Sequence, residues 1–193
     1  MPERDVRQIG TERDDPGGAF TEEPVRIVPY DPTWPERFQH ERVALAGAIG
    51  ERAPGGIHHV GATSVPGLQA KPIIDILIGV RGLSESRACF DQLAALGYLY
   101  APYRAHEMHW FCKPHPSRRT HHLHLVPLDT PRFRAELTFR DYLRSHPDRA
   151  LEYGQLKQTL ATRFERDREA YTEAKSEFVL ETVRRAYDQP PGG

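Results

Sequence analysis

The nine residues "PIIDILIGV", Pro72 to Val80, limit what this chain can fold into more than any other stretch. A strand with one wet face alternates apolar and polar side chains, whereas this run is aliphatic and largely β-branched on both faces. It is therefore expected as a central strand covered by helices on each side. One carboxylate, Asp75, stands among Ile73, Ile74, Ile76, Leu77 and Ile78. An ionised carboxylate is costly to bury unless a cation or hydrogen bonds meet it. Two readings follow: a metal-binding acid near a strand end, or a structural Asp held by backbone amides or by Lys71.

The neighbouring segments supply the rest of a sheet. "VRIVPY" alternates like a short strand, and "DPTWPERFQHERVALAGAIGE" starts a helix with Thr33 as cap, Pro35 and Glu36 in the first turn, and Phe38, Leu45 and Ile49 inward. "GIHHVGA" precedes the central strand, and "SESRACFDQLAALG" reads as a helix with Cys89, Leu93 and Leu96 buried and Gly97 as its stop. "YLYAPY", "HEMHWFCK" and "HHLHLVPL" are close enough to pair as an antiparallel meander. From Pro131 the pattern turns helical, with Phe133 and Leu137, then Tyr153, Leu156, Leu160 and Phe164, then Tyr171, Ala174 and Phe178. The expected class is α+β: a mixed sheet with flanking helices and a helical C-terminal part. Residues 1–23 mix charges with "DDPGG" and residues 189–193 end in "PPGG", so both are expected as disordered or flexible tails around one domain over 24–188.

Charge narrows the partners. With 26 basic and 27 acidic residues among 193, the chain has no basic excess, which argues against nucleic acid as the main partner. No segment approaches the roughly 20 apolar residues that span a bilayer, and the N-terminus lacks the apolar stretch of a signal peptide, so a cytoplasmic protein with no membrane partner is expected. Cys89 and Cys112 fit reduced core thiols.

Chemistry concentrates around the central strand. In "GATS", Gly61 permits close backbone approach, and Thr63 and Ser64 carry hydroxyls that can donate to phosphate oxygens; a plain turn explains the same residues. In "THHLHLV", His122 and His124 share a strand face and can grip one metal, with Leu123 and Leu125 facing the core and His121 turned away; a half-exposed strand gives the same alternation. "HEMHW" spaces His106 and His109 one residue too closely for the helical zinc-protease motif, although His109 can still flank the pocket. Lys71, Lys113, Arg104, Arg118 and Arg119 offer charge for an anion, Arg118 as a solvated residue. Arg140 and Arg144, and Tyr171 and Lys175, are each four apart on helix faces, with Lys157 on the preceding helix. Arg140 and Lys175 either line the pocket or form interhelical salt bridges.

Five blocks in order, "VRIVPYDPTWPERF", "HHVGATSVPGLQAKPIIDILIGV", "HHLHLVPL", "FRDYLRSHPDRALEYGQLK" and "YTEAKSEFV", resemble the GrpB family, also called UPF0157, over about Pro24 to Tyr187. That family belongs to the nucleotidyltransferase superfamily of DNA polymerase β type. The resemblance implies a nucleotidyltransferase-like fold, with Gly61 at the superfamily's turn glycine and Asp75 at its first metal-binding acid. Two positions depart from the pattern: Ala62 replaces serine, and Leu77 stands at the second carboxylate. One Asp is too few for two-metal phosphoryl transfer, so Asp75, His122 and His124 are expected to hold the divalent metal (Mg, Mn or Zn). Gly61, Thr63, Ser64 and Lys71 would bind phosphate, and Asp75, Arg140 and Lys175 would be catalytic. The implied activity is metal-dependent transfer of a nucleotidyl group from an NTP to a small acceptor. A metal-dependent hydrolase, or a non-catalytic nucleotide- or partner-binding module, is the alternative. Domains of this family occur fused to dephospho-coenzyme A kinase, which suggests a link to coenzyme A metabolism.

Overall fold

The computed structural model describes residues 24–188; the two expected tails lie outside the described residues. Five strands form one mixed sheet in the order β1-β2-β5-β4-β3. They are β1 (Ile57–Val60), β2 (Ile74–Val80), β3 (Leu99–Tyr100), β4 (His109–His115) and β5 (Arg118–Pro127). The aliphatic run is β2, flanked by β1 antiparallel and β5 parallel, while β3, β4 and β5 make the antiparallel meander. Both faces of β2 are covered, as its composition requires.

Alternation along β2 and β5 divides the core. Ile74, Ile76 and Ile78 join Leu123 and Leu125 against Trp34, Leu45 and Ile49 of α1 (Trp34–Ile49) and Leu93 of α3 (Phe90–Ala95). On the other face Leu77 and Val126 pack with Val60, Met108 and Phe133, the last from α4 (Pro131–Ser145). Helices α5 (Pro147–Arg163), α6 (Arg168–Glu173) and α7 (Ser176–Asp188) complete that side. Pro131 fits the first turn of α4 because its missing N–H has no intrahelical role there, and Thr130 Oγ1 accepts from Phe133 N. The expected cysteine state holds: both are buried and free. Among the described residues no helix is long and apolar enough to cross a membrane.

Several local expectations change. "VRIVPY" contributes one bridge, Val28 to Ala70, because Pro29 interrupts the donors a longer ladder needs. Thr33 does not cap α1 with its side chain: its backbone N and its Oγ1 both donate to Asp31 Oδ1, at 2.9 and 2.8 Å. The single helix expected over 84–97 is divided into α2 (Leu83–Ser86), a 3-10 turn (Arg87–Cys89) and α3, with Gly97 at φ 82° after it. "YLYAPY" pairs over only two residues before Pro102. The last helical stretch breaks between α6 and α7, so Tyr171 and Lys175 do not share one continuous helix.

Candidate functional site

The two strand patterns meet in register. Asp75 on β2 is the partner of His122 on β5, and Leu77 is the partner of His124. Because side chains alternate, Asp75, Leu77, His122 and His124 all lie on the face beneath the C-terminal helices. His122 Nδ1 donates to Asp75 Oδ1 at 2.9 Å, across 47 residues of sequence. The pair is recessed but reached by solvent: the Asp75 side chain is 28% exposed and that of His122 15%. Burial alone would raise the Asp75 carboxyl, yet the His122 hydrogen bond and the charges of His122, His124 and Lys71 hold it below the ordinary carboxylate value. Burial pushes His122 down to about 4 despite the opposing pull of Asp75, so the ring is neutral at pH 7. An ionised Asp75 fixes the proton on Nδ1, leaving Nε2 with a free lone pair; that atom is buried and has no hydrogen-bond partner.

Gly61 closes the recess at the end of β1. Its φ of 68° and ψ of −174° belong to backbone that only glycine adopts readily, and a Cβ there would collide with Asp75 Oδ2. The hydroxyls expected to face a phosphate are instead bonded within the protein. Thr63, 1% exposed, donates through Oγ1 to Ile73 O at 3.1 Å and accepts from His59 Nε2 at 3.0 Å, while Ser64 Oγ donates to Gly61 O at 2.6 Å. Arg144 adds two bonds to Ser64 O, at 2.9 and 2.8 Å, fixing the turn from α4.

Asp75, His122 and His124, expected as a three-ligand metal set, share one sheet face. Among the described residues no three His, Cys, Asp or Glu side chains are grouped to hold a metal. The physical reasons are local. Asp75 and His122 are bonded to each other, His124 Nδ1 faces Glu136 Oε2 at 3.5 Å, and the second carboxylate position is Leu77, 0% exposed in an apolar cluster. Glu136 escaped the sequence reading. It sits three residues after Phe133 on α4, ion-paired with Arg132 at 3.1 Å, and Arg132 also donates to Glu107 at 2.7 Å. A carboxylate within the apolar stripe of α4 was its available signal.

Three lysines lie within electrostatic reach of the acid. Lys71, on the segment before β2, and Lys175, at the joint between α6 and α7, lie 4.7 and 4.1 Å from the centroid of the Tyr171 ring. Lys157 of α5, 2% exposed, lies 4.9 Å from the Tyr153 ring and donates to Gln69 O. Burial, reinforced by neighbouring positive charge, drives Lys71 well below its ordinary value and Lys157 to about 7; burial drives Lys175 to about 8. Asp75 opposes the shift in all three. Of the residues expected here, Lys71 and Lys175 are thus brought to the Asp75 side, and Lys157 joins them.

Arg140 reaches the edge of β1. It donates to His59 O at 3.2 Å and to both carboxylate oxygens of Asp141, at 2.7 and 2.9 Å. With Arg144, His58, His59, Phe38 and Gln39 it lines a groove of about 380 Å³ along the free edge of β1. His109 does not flank the recess: its Nε2 bonds Leu83 O at 2.9 Å and its ring packs on Phe90 and Tyr100, on the opposite face of the sheet. Lys113 reaches Glu41 at 2.5 Å, also away from Asp75.

A mixed five-stranded sheet with an acid on β2, a histidine on the adjacent parallel strand and a glycine turn beside them defines an α+β protein with a polar recess at the strand ends. A model of the GrpB protein family matches residues 24–185, and the chain belongs to that family. It is 41% identical over 168 residues to a UPF0157 protein of Pseudomonas aeruginosa, covering 84% of this chain and 67% of that one. A crystal structure of conserved protein GrpB from Enterococcus faecalis superposes with a TM-score of 0.76 at 32% identity, over 84% of this chain and 98% of that one. A dephospho-CoA kinase of Mycolicibacterium paratuberculosis is 30% identical over 190 residues, which span 86% of this chain and 46% of the kinase.

Proposed function

We propose that the chain binds a nucleoside triphosphate in the recess over β2 and β5 and transfers its nucleotidyl group to a small acceptor. The observation that supports this most directly is the Asp75–His122 pair, joined at 2.9 Å beside the Gly61 turn, where the nucleotidyltransferase pattern has its turn glycine and first acid. An acceptor oxygen or nitrogen attacks the α phosphorus, the bond to the β-phosphate oxygen breaks, and pyrophosphate leaves. The acceptor proton passes to His122 Nε2, with Asp75 holding the ring in the required tautomer and stabilising the imidazolium that forms. Pyrophosphate release from ATP in the presence of a panel of small hydroxyl and amine acceptors tests the reading. Release by the parent chain and its loss in folded His122→Ala and Asp75→Asn variants supports it; equal activity in all three would sink it.

Leu77 favours a second reading. A position that carries a ligand acid in the superfamily is here closed into an apolar cluster, which suits a module that binds the nucleotide without turning it over. The likeness to part of a dephospho-CoA kinase is compatible with such a module serving coenzyme A metabolism. Nucleotide binding without pyrophosphate release from any acceptor selects this reading.

A further inference from the structure

We infer that the recess takes the polyphosphate of its ligand on Lys71, Lys157 and Lys175 directly, with no divalent cation between ligand and protein. This rests on the nucleotide-binding reading above and concerns what neutralises the phosphates.

Three separate segments supply these ammonium groups, two of them against one tyrosine ring: the approach to β2, the middle of α5 and the α6–α7 joint. Lys71 and Lys175 both lie against the Tyr171 ring, 4.7 and 4.1 Å from its centroid, and the charge of Lys175 is felt at Lys157. Against them stands one carboxylate, Asp75, already bonded by His122; the next acid, Glu136, is engaged by Arg132 and His124. Among the described residues none of the three lysines forms an ion pair, and only Lys157 has a hydrogen-bond acceptor, the neutral Gln69 carbonyl. Burial lowers the basicity of all three, the charge of Lys175 adds to the shift of Lys71 and Lys157, and the opposing pull of Asp75 does not offset it.

A divalent cation brought to this place would add two positive charges where positive charge is already in excess. A polyphosphate would supply the missing negative charge and accept the donors. Ammonium groups suit that role: each is a compact charge with rotatable N–H donors, and charge-assisted bonds to phosphate are the strong class of hydrogen bond. Among the described residues no three side chains are grouped to hold a metal, and Leu77 is buried at the second acid position. Lys71 and Lys175 are partly exposed, so a ligand can reach them without unfolding the helices.

Calorimetric titration with ATP and, separately, with inorganic tripolyphosphate, each in excess EDTA and then in millimolar Mg²⁺ or Mn²⁺, tests the inference. The expected result is ATP binding in EDTA, weakened at least tenfold in Lys71→Met and in Lys175→Met and unimproved by metal. Both positions are partly exposed, so these variants carry the test even where Lys157→Met does not fold, with circular dichroism checking each. Binding of tripolyphosphate as tight as ATP assigns the ligand's affinity to its phosphates; weaker binding adds a contribution from the nucleoside and leaves the lysine contact supported by the variants. ATP binding that appears only with Mg²⁺ or Mn²⁺ overturns the inference and leaves the proposed function standing. No ATP binding under either condition overturns both.

Discussion

Gly61→Ala isolates the contact between the glycine turn and the acid. Two costs arise. The backbone at φ 68° and ψ −174° is strained for any residue with a Cβ, by about 1–3 kcal/mol. The added methyl also strikes Asp75 Oδ2, and moving that carboxylate weakens its bond to His122, a charge-assisted contact worth about 1.5–3 kcal/mol. Taking a combined loss of about 3 kcal/mol, thermal unfolding followed by circular dichroism should show a midpoint about 6–12 °C lower. A double-mutant cycle separates the two parts. In an Asp75→Ala background the collision with the carboxylate disappears, leaving backbone strain and a tight contact with the remaining Cβ at 3.1 Å, so Gly61→Ala should cost at least about 1.5 kcal/mol less than in the parent. Equal losses in the two backgrounds would refute the argument that the glycine is required by the carboxylate beside it.

Further tests address protonation and the turn. Lys157 titrates at about 7 in the folded chain against an ordinary 10.5, so between these values the unfolded chain binds more protons and stability rises with pH. Lys157→Met should lose that rise, visible as a smaller gain in midpoint between pH 7 and 10; an unchanged slope contradicts the assignment. His122, at about 4 against 6.5, should remain neutral with its proton on Nδ1 at pH 5.5, and a ¹⁵N spectrum showing imidazolium there would overturn it. Its shift also means that stability falls as pH drops from 6.5 toward 4, the unfolded chain again holding more protons. Arg144→Ala removes both bonds to Ser64 O, and faster amide exchange over residues 62–65 with a loss of about 1–2 kcal/mol is expected; unchanged exchange contradicts the role given to Arg144.

Asp75 and His122 were legible in the sequence for opposite reasons. A carboxylate inside an aliphatic run is conspicuous because burial is costly, and a histidine alternating with leucines declares its face by the two-residue period of a strand. What the strand pattern leaves open is which partner each imidazole chooses. His124 turns to Glu136, whose position over β5 depends on how α4 docks. Lys157 looked like an ordinary lysine on a helix because its burial arises only when α5 closes over Gln69 and Tyr153. Thr63 and Ser64 show the converse limit. Hydroxyls near a glycine turn fit a phosphate by composition, yet the 3-10 turn of Ala62–Ser64 spends them on Ile73 O and Gly61 O. Helix continuity misled in one place: Tyr171 and Lys175 meet across a break, by the reach of a long side chain.

The parallel pairing of β2 with β5 has a kinetic meaning. A parallel neighbour cannot be joined by a hairpin, and here the intervening chain carries α2, α3 and two strands before Asp75 finds His122. The Asp75–His122 pair is therefore absent from any intermediate in which that long excursion has not closed. A ligand that requires the pair recognises only the completed fold, so its binding draws the folding equilibrium forward and shields the chain from proteolysis through the same event.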